Sequence, residues 1–219
     1  MFSIDRFHAE YETTIEELLI HDKRFRFHVP ASIDRFLDAD DALKDFPLWA
    51  KMWEASVILS NFLSKMPALP DEKMLELGAG LGVVGIVAAA FGHKVTMTEY
   101  NTDALNFAHA NAELNNSENI TIAALDWNNP AVDGEFDVII GSEITFNKNN
   151  FNNIYKLLRR YLKSDGRAIL AEGMRASGLE FYKTMSAHFD IKARKTIMRS
   201  ADQEIPNVLM QMNWKNKEH

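Results

Sequence analysis

The stretch Glu76-Leu-Gly-Ala-Gly-Leu-Gly-Val-Val-Gly85 decides the fold class of this 219-residue chain. It lies between an apolar run at residues 74–77, typical of a buried strand, and a run at residues 83–91, typical of a buried helix. Glycines at such a turn let the backbone bend tightly and approach a ligand, and the free N–H groups of the following helix attract an anion. The stretch therefore predicts a strand, a ligand-binding loop and a helix in succession.

The spacing of these glycines leaves more than one class of cofactor open. Gly80-x-Gly82-x-x-Gly85 fits the dinucleotide fingerprint, and Glu99 follows Gly80 by nineteen residues, where such folds carry an acid for the ribose. The same loop suits other nucleoside cofactors, and small residues can also pack a helix on a strand with no ligand. The loop alone does not separate NAD from another nucleoside.

Short apolar runs alternate with helical stretches over the next hundred residues. Strands are predicted at residues 95–98, 120–125, 136–141 and 167–171, with helices from about 102 to 114 and from about 149 to 162 and a turn at 163–166. A helix over residues 179–189 then precedes two strands, 191–198 and 208–214, with Pro206 between them. This order predicts an α/β fold with a mostly parallel sheet that ends in an antiparallel pair.

The first part of the chain is less regular. Residues 1–45 are predicted to form an N-terminal extension and residues 46–219 the main domain. Residues 25–29 alternate like a half-buried strand, and residues 12–20 can pair with them as a hairpin. Apolar residues from 49 to 57, including Trp53, fall at helical spacing. We expect the extension to cover the substrate side of the domain.

Composition excludes several partners and chemistries. The net charge of −7 divides into −5 over residues 1–45, −8 over residues 46–150 and +6 over residues 151–219, and the acidic middle argues against a nucleic-acid partner. The absence of cysteine excludes disulfides and thiolate nucleophiles, and the histidines show no metal-ligand spacing, so no metal is expected. The chain shows no signal-peptide pattern, membrane-spanning run or exposed apolar stripe, so we expect a cytoplasmic monomer.

The ends of the predicted strands carry the residues that indicate a function. Ligands of an open parallel sheet bind beyond the carboxyl ends of its strands. The second strand ends at Glu99-Tyr100, the third at Asp126-Trp127 and the fourth at Ser142-Glu143-Ile-Thr-Phe146. A carboxylate at 99 can accept both ribose hydroxyls, while Asp126 and Trp127 offer an acceptor for an exocyclic amine and an aromatic face for a purine. The set predicts a nucleoside pocket with an acidic, aromatic mouth.

Four segments of the chain resemble the seven-β-strand protein methyltransferases of methyltransferase family 16. They are Glu76-Leu-Gly-Ala-Gly-Leu-Gly82, Leu125-Asp-Trp127, Glu143-Ile-Thr-Phe146 and Met52-Trp-Glu-Ala-Ser-Val-Ile-Leu-Ser60. The resemblance covers roughly residues 46–214. It implies a Rossmann-like class I methyltransferase fold with a seven-stranded sheet, and S-adenosyl-L-methionine as the cofactor.

The resemblance also implies roles for individual residues. The cofactor-binding set that it implies is Trp53, Glu76, Gly78, Ala79, Gly80, Gly82, Glu99, Tyr100, Asp126, Trp127 and Ser142. Glu143 and Phe146 match the acid-x-x-aromatic element that frames the target side chain, with a phenylalanine that has no hydroxyl to offer. On this hypothesis Glu143 attracts and orients the target amine, Phe146 and Trp53 wall the channel, and water takes the proton.

The implied reaction is methyl transfer to a lysine side chain of a protein. A small-molecule methyltransferase acting on a basic metabolite would also suit an acidic mouth, and an NAD-linked enzyme and a cofactor-binding module without catalysis remain open. Amide and DNA-amine methyltransferases of this fold resemble one another in an Asn-Pro-Pro-aromatic loop after the fourth strand. This chain has Ser-Glu-Ile-Thr-Phe there, which disfavours that group.

Overall fold

The computed structural model describes residues 2–37, 40, 46–200 and 203–215. Within them the helices and strands follow the order α1 (Ile4–Glu10), β1 (Thr13–Ile20), β2 (Lys23–Pro30), α2 (Glu54–Leu63), β3 (Lys73–Leu77), α3 (Val83–Ala90), β4 (Lys94–Glu99), α4 (Thr102–Leu114), β5 (Ile120–Ala124), β6 (Phe136–Ser142), α5 (Phe151–Tyr161), β7 (Leu162–Gly173), α6 (Ala176–Met185), β8 (Phe189–Ser200) and β9 (Gln203–Trp214). None of these helices is both long enough and apolar enough to cross a membrane.

The main sheet of the described residues has seven strands in the order β5-β4-β3-β6-β7-β9-β8. The strands from β5 to β7 are parallel, and β9 runs antiparallel to both of its neighbours. The predicted α/β fold, with its mostly parallel sheet and final antiparallel pair, is confirmed. From β3 the chain winds outward to β4 and β5, then returns to β6 on the other side. A crevice therefore opens at the carboxyl ends of β3 and β6.

Each face of the sheet carries its own hydrophobic core because successive strand residues point to opposite faces. Met74 of β3 packs in the core that α2, α3, α4 and the N-terminal hairpin share. Its neighbour Leu75 packs in the core formed with α5 and α6. Helices on both faces bury the central strands fully, which explains why β3 and β6 read as nearly continuous apolar runs.

The predicted N-terminal hairpin is confirmed, and two asparagines of α4 attach its outer edge to the domain. Asn111 accepts the backbone N–H of His28 (2.6 Å) and donates to the carbonyl oxygens of His28 (3.1 Å) and Leu81 (2.9 Å). Asn115 accepts the N–H of Arg26 (3.0 Å) and donates to its carbonyl oxygen (2.7 Å). Four helical residues and two strand residues both advance about 6 Å, so the two side chains match alternate residues of β2.

Two predicted helix boundaries in the main domain are wrong, and one helix of the N-terminal extension is missing from the prediction. The helix predicted around Trp53 begins only at Glu54, with Trp53 as its N-cap, and Leu48–Ala50 forms a separate 3-10 turn. The helix predicted at residues 179–189 runs from Ala176 to Met185, and Phe189 already belongs to β8. Helix α1 was not predicted, because its seven residues are too few to show a clear period.

The predicted turn at residues 163–166 lies inside β7. This strand pairs Leu162 with Phe136 and then Arg167 with Val138, so the intervening residues form a bulge opposite Asp137 alone. Lys163 donates to Asp137 across that bulge at 2.6 Å, an ion pair that no local turn signal could reveal.

Pro206 lies inside β9 rather than between two strands. It pairs with Ile197 of β8, while the pairing of β9 with β7 ends at Asn207. The carbonyl oxygen of Pro206 accepts the N–H of Met174, and the N and C=O of one strand residue point to the same side. The position of the missing N–H therefore faces the side of β7, where the pairing of the two strands has already ended. The proline therefore costs no hydrogen bond of the sheet.

We expect Asn111→Ala to lower the free energy of unfolding by about 3 kcal/mol, because it leaves buried backbone groups of His28 and Leu81 without partners. Asn115→Ala is the matched control, since the backbone groups it releases are close to solvent and the expected loss is below about 1.5 kcal/mol. Urea denaturation measures both. Equal losses in the two variants would contradict the role given to Asn111.

Candidate active site

A cavity of about 1000 Å³ opens at the carboxyl ends of the central strands. Eleven of the thirteen residues predicted for the site line it, namely Trp53, Gly78, Ala79, Gly80, Glu99, Tyr100, Asp126, Trp127, Ser142, Glu143 and Phe146. These residues come from segments far apart in the sequence. The strand order brings them together, as expected for ligands of an open parallel sheet.

The glycine loop forms the floor of the cavity beside Trp49. Gly80 has a φ of +54°, in the left-handed region, and a Cβ there would lie 3.4 Å from the carbonyl oxygen of Trp49. The backbone N–H of Ala79 donates to the carbonyl oxygen of Thr98 at 2.9 Å, which joins the loop to β4. The backbone conformation therefore favours glycine at this position, whereas a Cβ would only come into ordinary van der Waals contact with Trp49.

The carboxylate of Glu99 connects the glycine loop to the end of β4. One oxygen accepts the backbone N–H of Gly80 at 3.0 Å. The other accepts the N–H groups of Tyr100 (2.7 Å) and Asn101 (3.1 Å). The side chain is half-buried and lines the cavity, so it can still accept hydrogen bonds from a ligand.

An acid, an aromatic ring and two amides follow β5. One carboxylate oxygen of Asp126 accepts the backbone N–H of Asn128 (2.8 Å) and its side-chain amide (3.2 Å). The amide of Asn153 on α5 donates to Asn128 at 3.1 Å, which ties this loop to the helix beyond the cavity. The ring of Trp127 packs beside Gly78. Asn128 and Asn153 line the cavity too, and the clustering of asparagines at residues 147–153 is a signal that could have indicated Asn153.

Trp53 closes the side of the cavity that faces residues 46–53. Its indole N–H donates to the carbonyl oxygen of Leu48 at 2.6 Å, which fixes the ring against the 3-10 turn. The ammonium group of Lys51 lies 4.6 Å from the centre of the same ring. Among the described residues before Phe46, none lines the cavity. The expectation that the N-terminal extension covers the substrate side is therefore not met by residues 2–37.

Glu143 and Glu172 hold the loop that follows β6. Glu143 has a φ of +55°, and its carboxylate accepts the backbone N–H of Gly173 (2.8 Å) and the guanidinium of Arg175. Glu172 lies beneath it and accepts the N–H groups of Ile144 (3.0 Å) and Thr145 (3.2 Å). Burial, and then the nearby charge of Glu143, raises the pKa of Glu172 to about 8.

Sequence reasoning missed Arg175 and Glu172. Glu172 lies at the carboxyl end of β7 and Arg175 shortly after it, and none of the predicted site residues lies at the end of this strand. Extending the same rule to the fifth parallel strand would have found them, because Glu172-Gly-Met-Arg175 follows its apolar run directly.

Glu76 and Gly82 do not line the cavity, contrary to the prediction for these two residues. Glu76 is 1% exposed, and its carboxylate lies behind the loop against Gly85, where an added Cβ would come within 2.5 Å of one of its oxygens. Burial raises the pKa of Glu76 to about 8, the charge of Glu99 adds a smaller rise, and the N–H of Gly85 offsets part of it. Gly82 is the N-cap of α3 and packs on Met97.

The raised pKa of Glu76 predicts a pH-dependent stability. The unfolded carboxyl titrates near 4.5 and the folded one near 8, so the folded state binds more protons between these values and loses stability as the pH rises through them. We expect Glu76→Gln to remove about 1 kcal/mol of this loss per pH unit. Urea denaturation from about pH 5 to 8 measures it. Parallel curves for wild type and variant would contradict the assignment, and the exposed Glu113→Gln serves as control.

The described residues contain no cluster of three or more His, Asp or Glu side chains that could hold a metal ion. Residues 36–188 match the sequence profile of a family described as lysine methyltransferase.

Two curated relatives and one solved structure illustrate the similarity. The protein N-lysine methyltransferase METTL21A of Mus musculus is 33% identical over 130 residues, which are 56% of this chain and 59% of that protein. The histidine protein methyltransferase 1 homolog of Dictyostelium discoideum is 30% identical over 128 residues, 55% of this chain and 41% of that protein. The chain thus spans about half the length of these relatives.

The solved structure is that of P. horikoshii TYW2 in complex with MeSAdo. It has a TM-score of 0.60 and 16% identity, covering 94% of this chain and 73% of that one. A likeness at this identity speaks for the fold alone, and it confirms the predicted Rossmann-like class I methyltransferase fold. Because the profile match covers more than half of the sequence, the chain belongs to the lysine methyltransferase family, methyltransferase family 16.

Proposed function

We propose that this protein is an S-adenosyl-L-methionine-dependent N-methyltransferase that modifies a lysine side chain of a protein. The observation that carries the proposal is the division of one cavity into two ends. Glu99, Asp126 and Trp127 follow β4 and β5 on one side of β3, and Glu143 and Phe146 follow β6 on its other side. The first group suits a nucleoside and the second suits a cationic side chain with an alkyl stem.

The residues at the first end fit the cofactor. The half-buried Glu99 supplies a carboxylate for the ribose hydroxyls, and Trp127 with Asp126 supplies a ring and an acceptor for adenine. Gly78, Ala79 and Gly80 line the cavity and carry no side-chain atom beyond Cβ, which gives room for the methionine part. In this proposal Glu76 and Gly82 act indirectly, by supporting the loop from behind.

Methyl transfer requires that the residues around Glu143 and Phe146 position an uncharged amine. S-adenosyl-L-methionine, when bound, supplies a methyl group on a positively charged sulfur. The target amine forms the new N–C bond with its lone pair as the C–S bond breaks toward sulfur, so the amine must first give its proton to water. Glu143 orients the amine, and Phe146 and Trp53 contact its alkyl stem and exclude water from the channel.

The rim of the cavity favours a protein substrate over a small basic metabolite. Phe46, Tyr100 and Phe146 line the cavity and are 43%, 70% and 44% exposed. Met174 and Leu179 do not line the cavity, but they lie on either side of Arg175 in the sequence and are more than half exposed. Exposed apolar side chains around the mouth of a cavity are typical of a surface that contacts another protein. The carboxylate of Glu143 suits a lysine ammonium, and the name of the mouse relative points the same way.

We expect isothermal calorimetry to show tight binding of S-adenosylhomocysteine and no binding of NAD. Glu99→Gln should weaken the binding of S-adenosylhomocysteine at least about tenfold, because a hydrogen bond to a charged group contributes about 1.5–3 kcal/mol. Glu113→Gln, an exposed residue of α4 outside the cavity, is the control and should bind like wild type. Binding of NAD instead would overturn the assignment of the cofactor.

We expect the protein to transfer tritiated methyl groups from S-adenosyl-L-methionine to a discrete protein band in a cell extract. Glu143→Ala should lower this rate at least about tenfold while leaving the binding of S-adenosylhomocysteine unchanged, because in this proposal Glu143 contacts the amine and not the cofactor. Glu180→Ala, an exposed acid of α6 that does not line the cavity, is the matched control. Label found only in the small-molecule fraction would refute a protein substrate.

A further inference from the structure

Arg175 is a charged residue of the cavity to which neither the sequence nor the family match assigns a role. It lies directly before α6, lines the cavity and forms an ion pair with the carboxylate of Glu143. The Arg175 side chain is 44% exposed, whereas that of Glu143 is 13% exposed. The guanidinium therefore stands on the solvent side of the carboxylate, where an incoming amine also has to arrive.

An unpaired carboxylate at this point would hinder the reaction that it helps to orient. A negative charge beside an amine favours the protonated form of the amine, which has no lone pair with which to attack. A positive charge on the same carboxylate offsets that effect and leaves its remaining acceptor positions available for an N–H group. The ion pair thus leaves Glu143 able to accept a hydrogen bond from the amine while it offsets the negative charge of the carboxylate.

The other charged groups near the target amine do not supply this compensation. Those that line the cavity from the remaining elements are Lys51, Glu99 and Asp126, with the phenol of Tyr100. Glu99 and Asp126 are acids at the nucleoside end, and Lys51 lies over the ring of Trp53. Behind Glu143, burial and the charge of Glu143 raise the pKa of Glu172 to about 8, so Glu172 is largely uncharged at neutral pH. Arg175 is the cation that pairs with Glu143 among the described residues.

The fold holds both members of the pair in place. The backbone N–H of Glu143 donates to the carbonyl oxygen of Ala171, and the N–H of Gly173 donates back to its carboxylate. The N–H of Met174 is bound by Pro206 of β9, so the chain leaves the sheet immediately before Arg175. Strands β6, β7 and β9 therefore fix the backbone on both sides of the ion pair. An ion pair between two mobile surface side chains has no such support.

We propose that Arg175 is a positioning residue that acts through Glu143: its charge increases the uncharged, nucleophilic fraction of the target lysine while Glu143 orients it. The inference rests on the proposed methyl transfer to an amine. The lysine ammonium gives its proton to water at the open mouth of the cavity before the N–C bond forms. Arg175 takes no part in bond making and does not accept that proton.

The test compares the pH dependence of Arg175→Met with that of wild type. The readout is the initial rate of tritiated methyl transfer, at saturating S-adenosyl-L-methionine, into the protein band of a dialysed cell extract with an enzyme-free blank subtracted. The ratio of the variant rate to the wild-type rate at each pH cancels any change in the extract proteins. Calorimetry with S-adenosylhomocysteine checks that each variant is folded and binds the cofactor product.

We expect the ratio to be about 0.1 near pH 7 and to rise toward 1 only above about pH 10.5, because losing a charge within hydrogen-bonding distance of Glu143 shifts the titration of the amine, about 10.4 for a free lysine, by about one unit. Arg175→Gln should show the same rise, and Arg175→Lys, which keeps the charge, should remain within about twofold of wild type at every pH. Arg24→Met is the matched control, since Arg24 forms an exposed ion pair with Glu17 outside the cavity.

Two results would overturn the inference. A ratio that does not change with pH would mean that Arg175 acts through structure alone, and a variant faster than wild type at neutral pH would mean that Arg175 only obstructs the channel. The proposed function fails separately: it fails if wild type labels no protein band at any pH, whereas a labelled band with a flat ratio refutes the role of Arg175 alone.

Discussion

The carboxylate of Glu99 binds three backbone N–H groups from two separate segments, and the shape of the cavity depends on this interaction. Gly80 comes from the loop after β3, while Tyr100 and Asn101 come from the end of β4. Asn101 in turn caps α4 through the N–H of Ala104. A single side chain thus sets the distance between the glycine loop and the start of a helix, and it does so at the edge of the sheet where parallel strands present their ligands.

The same device is used a second time at the other end of the cavity. Glu172 binds the N–H groups of Ile144 and Thr145, and Glu143 binds that of Gly173, so two acids shape the loop after β6. Carboxylates that organise backbone N–H groups are strong acceptors, but they also concentrate negative charge. Burial reduces this negative charge at Glu172 by keeping its carboxyl largely uncharged, and Arg175 offsets the charge of Glu143 by pairing with it directly. The negative charge of residues 46–150 is therefore partly structural rather than wholly directed at a ligand.

Most of the fold was predictable because helix and strand periods are local properties of the sequence. The strand and helix sequence from β3 to β6 agrees with prediction to within a few residues. The errors have physical causes that lie outside the local sequence. The bulge in β7 depends on Asp137 of the neighbouring strand, and Pro206 is tolerated in β9 because β7 has already ended beside it. Glu76 lies behind its loop because its carboxylate packs against Gly85 of α3. The spacing of residues along the chain does not distinguish the two sides of a turn, so the sequence could not show that Glu76 faces away from the cavity.

The sequence by itself determined the order of strands and helices, the glycine loop and the acids and rings at three strand ends, because each depends on neighbours within a few residues. Only the tertiary structure decided which of these groups share a cavity and which charges they meet there. Arg175 reaches Glu143 across 32 residues of sequence, and Asn111 holds β2 across 83. Such contacts arise from the way the strands are ordered and the helices packed, and electrostatic partners chosen by that packing leave no signal in the spacing of residues along the chain.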